Sequence, residues 1–266
     1  MRLANKTAIV IGGGQSGGST MAIGNGRATA MLFAREGAKV LVVDRDMPTA
    51  QETADLIAEE GNIARATVAD VTSEEQVAAA IKECKDAWGS VDVLHNNVGI
   101  SVAGGDAPIE DITTEAFDLL VNVNLRGMVY AIKHVLPIMR EEGSGAIINI
   151  SSMAAWSNYP WVGYKTTKSA VIALTEQTAA RNAKYNIRAN VILPGLMDTP
   201  MAVDTRAREW NKPREEIAAE RDAKVPLGGK MGTGWDVAYA ALFLACEESK
   251  FVTGVSLNVD GGANVT

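Results

Sequence analysis

Seven short apolar runs, each set off from the next by a stretch with helical spacing, constrain this chain more than any other feature. The runs are TAIVIG (7–12), KVLVVD (39–44), IARATVAD (63–70), VDVLHNN (91–97), GAIINIS (145–151), IRANVIL (187–193) and VSLNVD (255–260). Most are continuously apolar rather than alternating, as parallel strands covered on both faces must be. Between them, stretches such as TAQETADLIAEEG and SEEQVAAAIKECKDAWG place apolar residues at i, i+3/i+4 and i+7. Ser73 followed by Gln76 reads as a capping-box start. The repeated strand–helix–strand pattern predicts an α/β fold, a doubly wound parallel sheet of about seven strands with helices on both faces.

The 266 residues are enough to bury a large core. With no linker or repeat in the chain, residues 1–266 read as one domain. The polar segment 198–224, DTPMAVDTRAREWNKPREEIAAERDAK, breaks the alternation just after a strand. Open α/β sheets bind ligands at that end of their strands, so the segment is expected to be a substrate lid.

Composition narrows the partners. The chain is 47% apolar and 21% charged with a net charge of −7, and it has no basic block to release phosphate counterions. A nucleic-acid partner is therefore not expected. Cys84, Cys246, His95 and His134 fall at no metal-ligand spacing, so neither a metal site nor a disulfide framework is expected. The N-terminal apolar run is too short for a signal peptide, and no run reaches about 18 apolar residues. A cytoplasmic location without a membrane partner is the expectation.

The glycine-rich stretch from Gly12 to Gly26 admits three readings. A P-loop would need a lysine after its last glycine, where Gly18-Ser19 stands instead. A ligand-free turn is the second. The third is a dinucleotide loop: Gly12-Gly13-Gly14 leaves the first strand, and Gly24-Asn25-Gly26 opens a strong helix whose N-terminus suits a pyrophosphate. Asp44, the acid ending the second strand, favours this reading. A carboxylate there accepts ribose hydroxyls and repels a 2′-phosphate, which points to NAD over NADP, with Arg45 next to it as the contrary sign. Residues 15–23 lengthen the loop and are expected to form a polar flap, with Ser19 or Thr20 offering a phosphate hydrogen bond.

Further along, Tyr164 and Lys168 lie one helical turn apart on one face. A free tyrosine, with pKa about 10, is a poor base at neutral pH. An ammonium one turn away, with a cationic nicotinamide nearby, is expected to draw that value down. Ser151-Ser152 ends the preceding strand and offers a hydroxyl for the substrate oxygen.

These motifs, in this order, resemble the short-chain dehydrogenase/reductase family in its main NAD(P)-dependent branch, over residues 5–262. VADVT supplies Asp70 and Val71, similar to the family's adenine contacts. HNNVG supplies Asn97 and Gly99 near the cofactor ribose, and NVNLRG supplies Asn124 of the catalytic tetrad. INISSMA and YKTTK supply Ser152, Tyr164 and Lys168. LPGLMDTPM places Met197 and Thr199 at the nicotinamide amide, and VPLGGKMGTGWDVA and VTGVSLNVDGG match the closing segments. The resemblance implies a Rossmann-type fold, a homotetramer built on helices around 113–138 and 164–184 and on the C-terminal strand region, and interconversion of a secondary alcohol and a ketone. In that chemistry Tyr164 is the base, Ser152 orients the oxygen, Lys168 bonds the nicotinamide ribose, and Asn124 holds a water.

The chain departs from the family pattern at Ile11, where a loop-bracing threonine is usual, at Asn25 and Val98, in the loop length, and in a short Ser152–Tyr164 interval. Ser151 sits at the commoner spacing, but its context favours Ser152. Trp156, Tyr159 and Trp161 lie near Tyr164 in sequence and suit a cyclic, aromatic or sugar-like substrate or a subunit interface. Arg206, Arg208 and Arg214 read as a solvated face; the alternative is a pairing with a substrate carboxylate or sulfonate, which needs one guanidinium facing inward with its fork free. The competing functions are an NADPH-dependent 3-oxoacyl-type ketoreductase and a non-catalytic NAD-sensing relative.

Overall fold

The computed structural model describes residues 1–15 and 22–266. Its elements run β1 (Thr7–Ile11), α1 (Asn25–Arg35), β2 (Lys39–Asp44), α2 (Met47–Glu59), β3 (Ala64–Val68), α3 (Glu74–Trp88), β4 (Val93–Asn96), α4 (Thr114–Val121), α5 (Gly127–Glu142), β5 (Gly145–Ile150), α6 (Val162–Asn182), β6 (Ile187–Pro194), β7 (Met197–Asp198), α7 (Thr205–Glu209), α8 (Arg214–Asp222), β8 (Gly232–Thr233), α9 (Gly234–Ala245) and β9 (Ser256–Val259). Seven strands form one parallel sheet in the order β3-β2-β1-β4-β5-β6-β9. All seven predicted strands are present; KVLVVD is matched in full, IRANVIL extends to Pro194, and the other five are trimmed, IARATVAD, for example, to Ala64–Val68.

Side chains of a strand alternate between faces, and both faces are covered. Ala8 and Val10 of β1 pack with Phe33 of α1 and with Val237 and Ala241 of α9, whereas Ile9 and Ile11 pack with Val77 and Ile81 of α3 and Val135 of α5. This two-sided burial explains why the runs were continuously apolar. The Ser73 start of α3 also forms, with a change of partner. Ser73 Oγ accepts from Gln76 N–H at 3.4 Å, while the Gln76 side chain accepts from Asp70 N–H at 2.9 Å instead of from Ser73.

Two features had no legible pattern. Met197 and Asp198 pair with Gly232 and Thr233 as a two-residue parallel ladder, too short for any periodicity. The polar segment after β6 folds into α7 and α8 behind a π-helical turn at Pro200–Asp204. Among the described residues no helix is long and apolar enough to cross a membrane.

Chain reversal after β1 makes the crevice that matters. The chain goes from β1 outward to β2 and β3, then returns to place β4 on the other side of β1. Beyond the carboxyl ends of β1 and β4, loops diverge and leave a gap, the usual ligand position in such sheets.

Candidate active site

The glycine loop is built for close approach. Gly12 leaves β1 at φ +82°, in the left-handed region that a side chain resists. Its N–H and that of Gly13 both donate to Val43 O, at 2.8 and 3.1 Å. Asn97 Nδ2 donates to Gly12 O at 3.0 Å, so Asn97 braces the loop rather than standing free for a ribose. Gly26 touches the same turn: a Cβ there would lie 1.9 Å from Gly12 O. Around Gly24, by contrast, a Cβ would meet among the described residues only Gln15 Oε1, at 3.8 Å.

Gln15 ties the two ends of the long loop together, accepting from Gly24 N–H at 2.8 Å and donating to Ala22 O at 3.2 Å. The Ser19 and Thr20 contacts expected from the sequence lie outside the described residues. Helix α1 starts at Asn25 with no side-chain cap and no acid in its first turn. Its first N–H groups are thus suited to an anion. The Asn25 Oδ1 atom is buried without a partner among the described residues. Tight glycines and an uncapped helix start fit a dinucleotide pyrophosphate.

Asp44 sits at the mouth of this cradle. One carboxylate oxygen accepts from Gly14 N–H at 3.1 Å, the other from Asp46 N–H at 3.4 Å. Burial pushes its carboxyl above the ordinary value, opposed by the backbone N–H groups of Asp46, Gly14 and Arg45. Asp70 Oδ1 accepts both the N–H and the O–H of Thr72, at 2.8 and 2.7 Å, so this acid also shapes its own turn. Val71 packs so closely on Gly127 that a Cβ there would come within 2.7 Å of it. Met197 is buried against Gly232, and Thr199 caps the next turn by accepting from Ala202 N–H at 3.3 Å.

The catalytic candidates gather where β5 ends and α6 begins. A buried polar chain sets α6 on the sheet: Asn96 Nδ2 donates to Asn149 Oδ1, and Asn149 Nδ2 donates to Thr175 Oγ1, both at 2.9 Å. Ser151 and Ser152 then point to opposite sides. Ser151 is buried and donates to Lys168 O at 2.6 Å, which makes it a fastener. Ser152 Oγ accepts from Ala154 N–H at 3.1 Å and faces the Tyr164 phenol.

Lys168 is almost fully buried, with Nζ donating to Ile150 O at 2.9 Å and lying 5.6 Å from the centre of the Tyr164 ring. Burial pulls its pKa down to about 7. Gly99 is required beside it, because a Cβ there would lie 2.9 Å from the Lys168 Nζ. The Asn124 side chain, in a π-helical stretch joining α4 to α5, is fully committed. It accepts from Ile100 N–H at 2.7 Å and donates to Ile100 O at 2.9 Å and Thr167 Oγ1 at 3.1 Å.

One expectation needs correction. The protein's own groups do not lower the tyrosine. Burial, with Tyr159 adding to it, pushes the Tyr164 phenol up to about 12, and Ser152 and Arg206 pull only weakly the other way. Lys168 loses its grip because burial discharges the amine it would act through.

Aromatic walls extend outward from Tyr164. Its ring centre is 5.6 Å from that of Tyr159, which is 5.4 Å from Trp161, which is 6.5 Å from Trp210 of the segment after β6. Trp156 is exposed and has no ring contact with this set among the described residues. Three partners escaped sequence reasoning because they come from segments distant in the chain. Asp106 accepts from Gly163 and Tyr164 N–H at 2.8 and 3.0 Å, capping the catalytic helix from outside. Ser101 Oγ joins Asp106 to the Tyr159 hydroxyl, at 3.1 and 3.2 Å. Arg221 lies mostly buried among the same groups. Of the arginines read as a solvated face, Arg208 is exposed and pairs with Glu209, Arg214 pairs with Asp198 and Asp204, and Arg206 turns inward toward Tyr159.

A parallel seven-stranded sheet with a dinucleotide cradle at its crevice, beside a serine–tyrosine–lysine group, defines a nicotinamide-dependent oxidoreductase. Comparison with known proteins sharpens that class. A family model described as enoyl-(acyl carrier protein) reductase matches residues 19–264. Sorbitol dehydrogenase of Cereibacter sphaeroides is 36% identical, over 98% of this chain and 98% of its own. The 3-oxoacyl-(acyl-carrier-protein) reductase FabG of Thermotoga maritima is 33% identical, over 98% and 99%. Levodione reductase of Leifsonia aquatica is 33% identical, over 98% and 95%. A crystal structure of levodione reductase superposes with a TM-score of 0.92 at 31% identity, covering 100% of both chains. The chain belongs to the short-chain dehydrogenase/reductase family, whose members are oxidoreductases that bind a nicotinamide cofactor.

Proposed function

We propose that this protein is an NAD-dependent dehydrogenase that interconverts a secondary alcohol and its ketone. The observation that carries the reading is the meeting of the Tyr164 phenol, the Ser152 hydroxyl and the Lys168 amine at the strand ends, next to the glycine cradle. Gly12, Gly24, Asn25 and Gly26 would hold the pyrophosphate, Asp44 the adenosine ribose, and Asp70 and Val71 the adenine. Asn97 and Gly99 would shape the ribose side, Lys168 and Tyr164 would meet the nicotinamide ribose, and Met197 and Thr199 the carboxamide. When bound, the nicotinamide supplies the hydride acceptor and a positive charge.

Tyr164, as phenolate, takes the proton of the alcohol as hydride leaves the carbinol carbon. Ser152 holds the alkoxide-like oxygen, contributing on the order of a hundredfold or more in rate. A protonated Lys168 would stabilise the phenolate, and the positive charge that a bound nicotinamide supplies would favour the same form. Asn124 pins Ile100 and Thr167 and so keeps Lys168 aligned.

Asp44 supports NAD over NADP, since its carboxylate, held at the end of β2 by the Gly14 and Asp46 N–H groups, would set a negative charge against a 2′-phosphate. The second reading, an NADPH-dependent 3-oxoacyl-type ketoreductase, draws on Arg45 beside it and on the likeness to FabG. A sensor that only binds NAD would have no use for Ser152 against Tyr164. The segment 198–224 acts as a lid, and the chain is one domain over 1–266. Exposed Leu119 and Val129 on one side, and Tyr239, Phe243 and Phe251 on another, support a homotetramer. A cytoplasmic location fits the two free thiols, Cys84 and Cys246.

A screen of cyclic, aromatic and sugar alcohols with NAD and NADP, reading reduced cofactor by absorbance, tests this reading. NAD reduction that vanishes in Tyr164→Phe is the expected result. A clear preference for NADP overturns the cofactor assignment, and binding without reduction by any alcohol favours the sensor.

A further inference from the structure

Two guanidiniums of the segment after β6 act on each other beside the aromatic wall, and among the described residues no carboxylate pairs with either. Arg206, on α7, donates through Nη1 to Ala202 O at 2.9 Å, and its Cζ lies 5.9 Å from the centre of the Trp210 ring. It also reaches the Tyr159 hydroxyl. Arg221, on α8, donates through Nε to Met231 Sδ at 3.3 Å, a weak acceptor. Neither has an ion-pair partner among the described residues, whereas Arg208 and Arg214 in the same segment do. The acid that acts on Arg221 is Asp198, and Arg214 already holds it.

Arg206 acts on Arg221 as a like charge, and Tyr159 and Tyr164 are the other groups that Arg221 senses. Burial first, then Arg206, draws Arg221 down to about 10. A mostly buried arginine beside a second one is unfavourable until an anion joins them. Remaining N–H groups on both forks have no acceptor among the described residues, and none of these nitrogens is sealed from solvent. A planar oxyanion matches that donor set.

We propose that Arg206 and Arg221 bind an oxyanion on the substrate, so that the secondary alcohol or ketone handled at Tyr164 also carries a carboxylate or sulfonate. The proposal rests on the reading of Tyr164 as the proton-transfer group. Tyr159, Trp161 and Trp210 line the path between the two ends, and the carbon chain of the substrate runs along them. The lid segment thereby closes on the anion, with α7 and α8 each bringing one guanidinium.

Kinetics with secondary alcohols ending in a carboxylate, a sulfonate or the methyl ester of the acid test this, using the full chain with saturating cofactor. The account predicts kcat/KM about 10- to 100-fold higher for the anions than for the ester. The relative rank of carboxylate and sulfonate identifies which anion the site takes. In Arg206→Gln and Arg221→Gln, KM for the anion rises by about the same factor, while the ester changes less than about twofold. Arg221→Lys keeps a charge without the fork and falls between. Arg208→Gln behaves as the parent protein. Thermal melting of each variant separates misfolding from lost recognition, and a variant that melts normally yet keeps its anion KM overturns the proposal. Tyr164-dependent turnover with ester and acid used equally overturns the anion site alone. Absence of Tyr164-dependent turnover with every alcohol overturns the parent reading and this one with it.

Discussion

Ser151 and Ser152 are neighbours with different fates, because adjacent residues at a strand end point to opposite sides. Ser151 is spent on Lys168 O and Ser152 faces Tyr164. Ser152→Ala should lower kcat by about 100-fold with little change in cofactor binding, read by steady-state kinetics and NADH titration. Ser151→Ala should instead cost about 1 kcal/mol of stability, read by denaturant unfolding, because a buried carbonyl loses its donor. Spacing alone could not separate the two; only the direction of each hydroxyl does. His95 shows the opposite kind of residue, one with no task. Its ring lies buried against Phe33 with both nitrogens unpartnered among the described residues, and burial pulls its pKa down to about 3. The folded state therefore binds fewer protons than the unfolded one between about pH 6.5 and 3, and stability falls as pH drops through that window. His95→Leu should remove this loss, gaining up to about 1.4 kcal/mol over the parent for each pH unit below 6.5, as measured by urea unfolding across pH.

Helix α6 carries the reacting side chains, and its register is set from two ends. Asn149 and Thr175 fix its middle to β5, and Asp106 caps its start through Gly163 and Tyr164 N–H. Asp106→Ala should cost about 1 kcal/mol in stability, within the usual range for a lost cap. It should also lower kcat more than it raises the cofactor KM, because Tyr164 is the residue whose backbone is released. At the other element, Gly26→Ala should raise the cofactor KM by tenfold or more, since its Cβ would collide with Gly12 O. The strands, α1 and α6 were legible because their patterns are local: apolar runs, glycines at a helix start, one-turn spacing of Tyr164 and Lys168. Gln15, Asp106, Trp210 and Arg221 were not, since each acts on a partner far along the chain or across a loop without periodicity. The lid helices stayed hidden for a related reason, as α7 is short and α8 buries only Ile217.

At the scale of the molecule, the order of strands decides where chemistry can occur. Reversal at β1 opens the crevice, β2 brings Asp44 to its mouth, and β5 delivers Ser152 to the same edge. Asp44→Ser should narrow the discrimination between NAD and NADP by about tenfold or more, seen as kcat/KM for each cofactor, because the repelling carboxylate is gone. Tyr164 at about 12 and Lys168 at about 7 describe a resting pair that is not yet a base, and the cofactor's charge is what would make it one. Hydride transfer to NAD that requires the Tyr164 phenol is the central claim, and transfer of label tests it most directly. A secondary alcohol deuterated at the carbinol carbon is incubated with NAD and the protein, and the reduced nicotinamide is analysed by mass spectrometry. The account predicts one deuterium per reduced cofactor with the parent protein and none with Tyr164→Phe; bound NAD that never acquires the label, or labelling that survives the loss of the phenol, would contradict it.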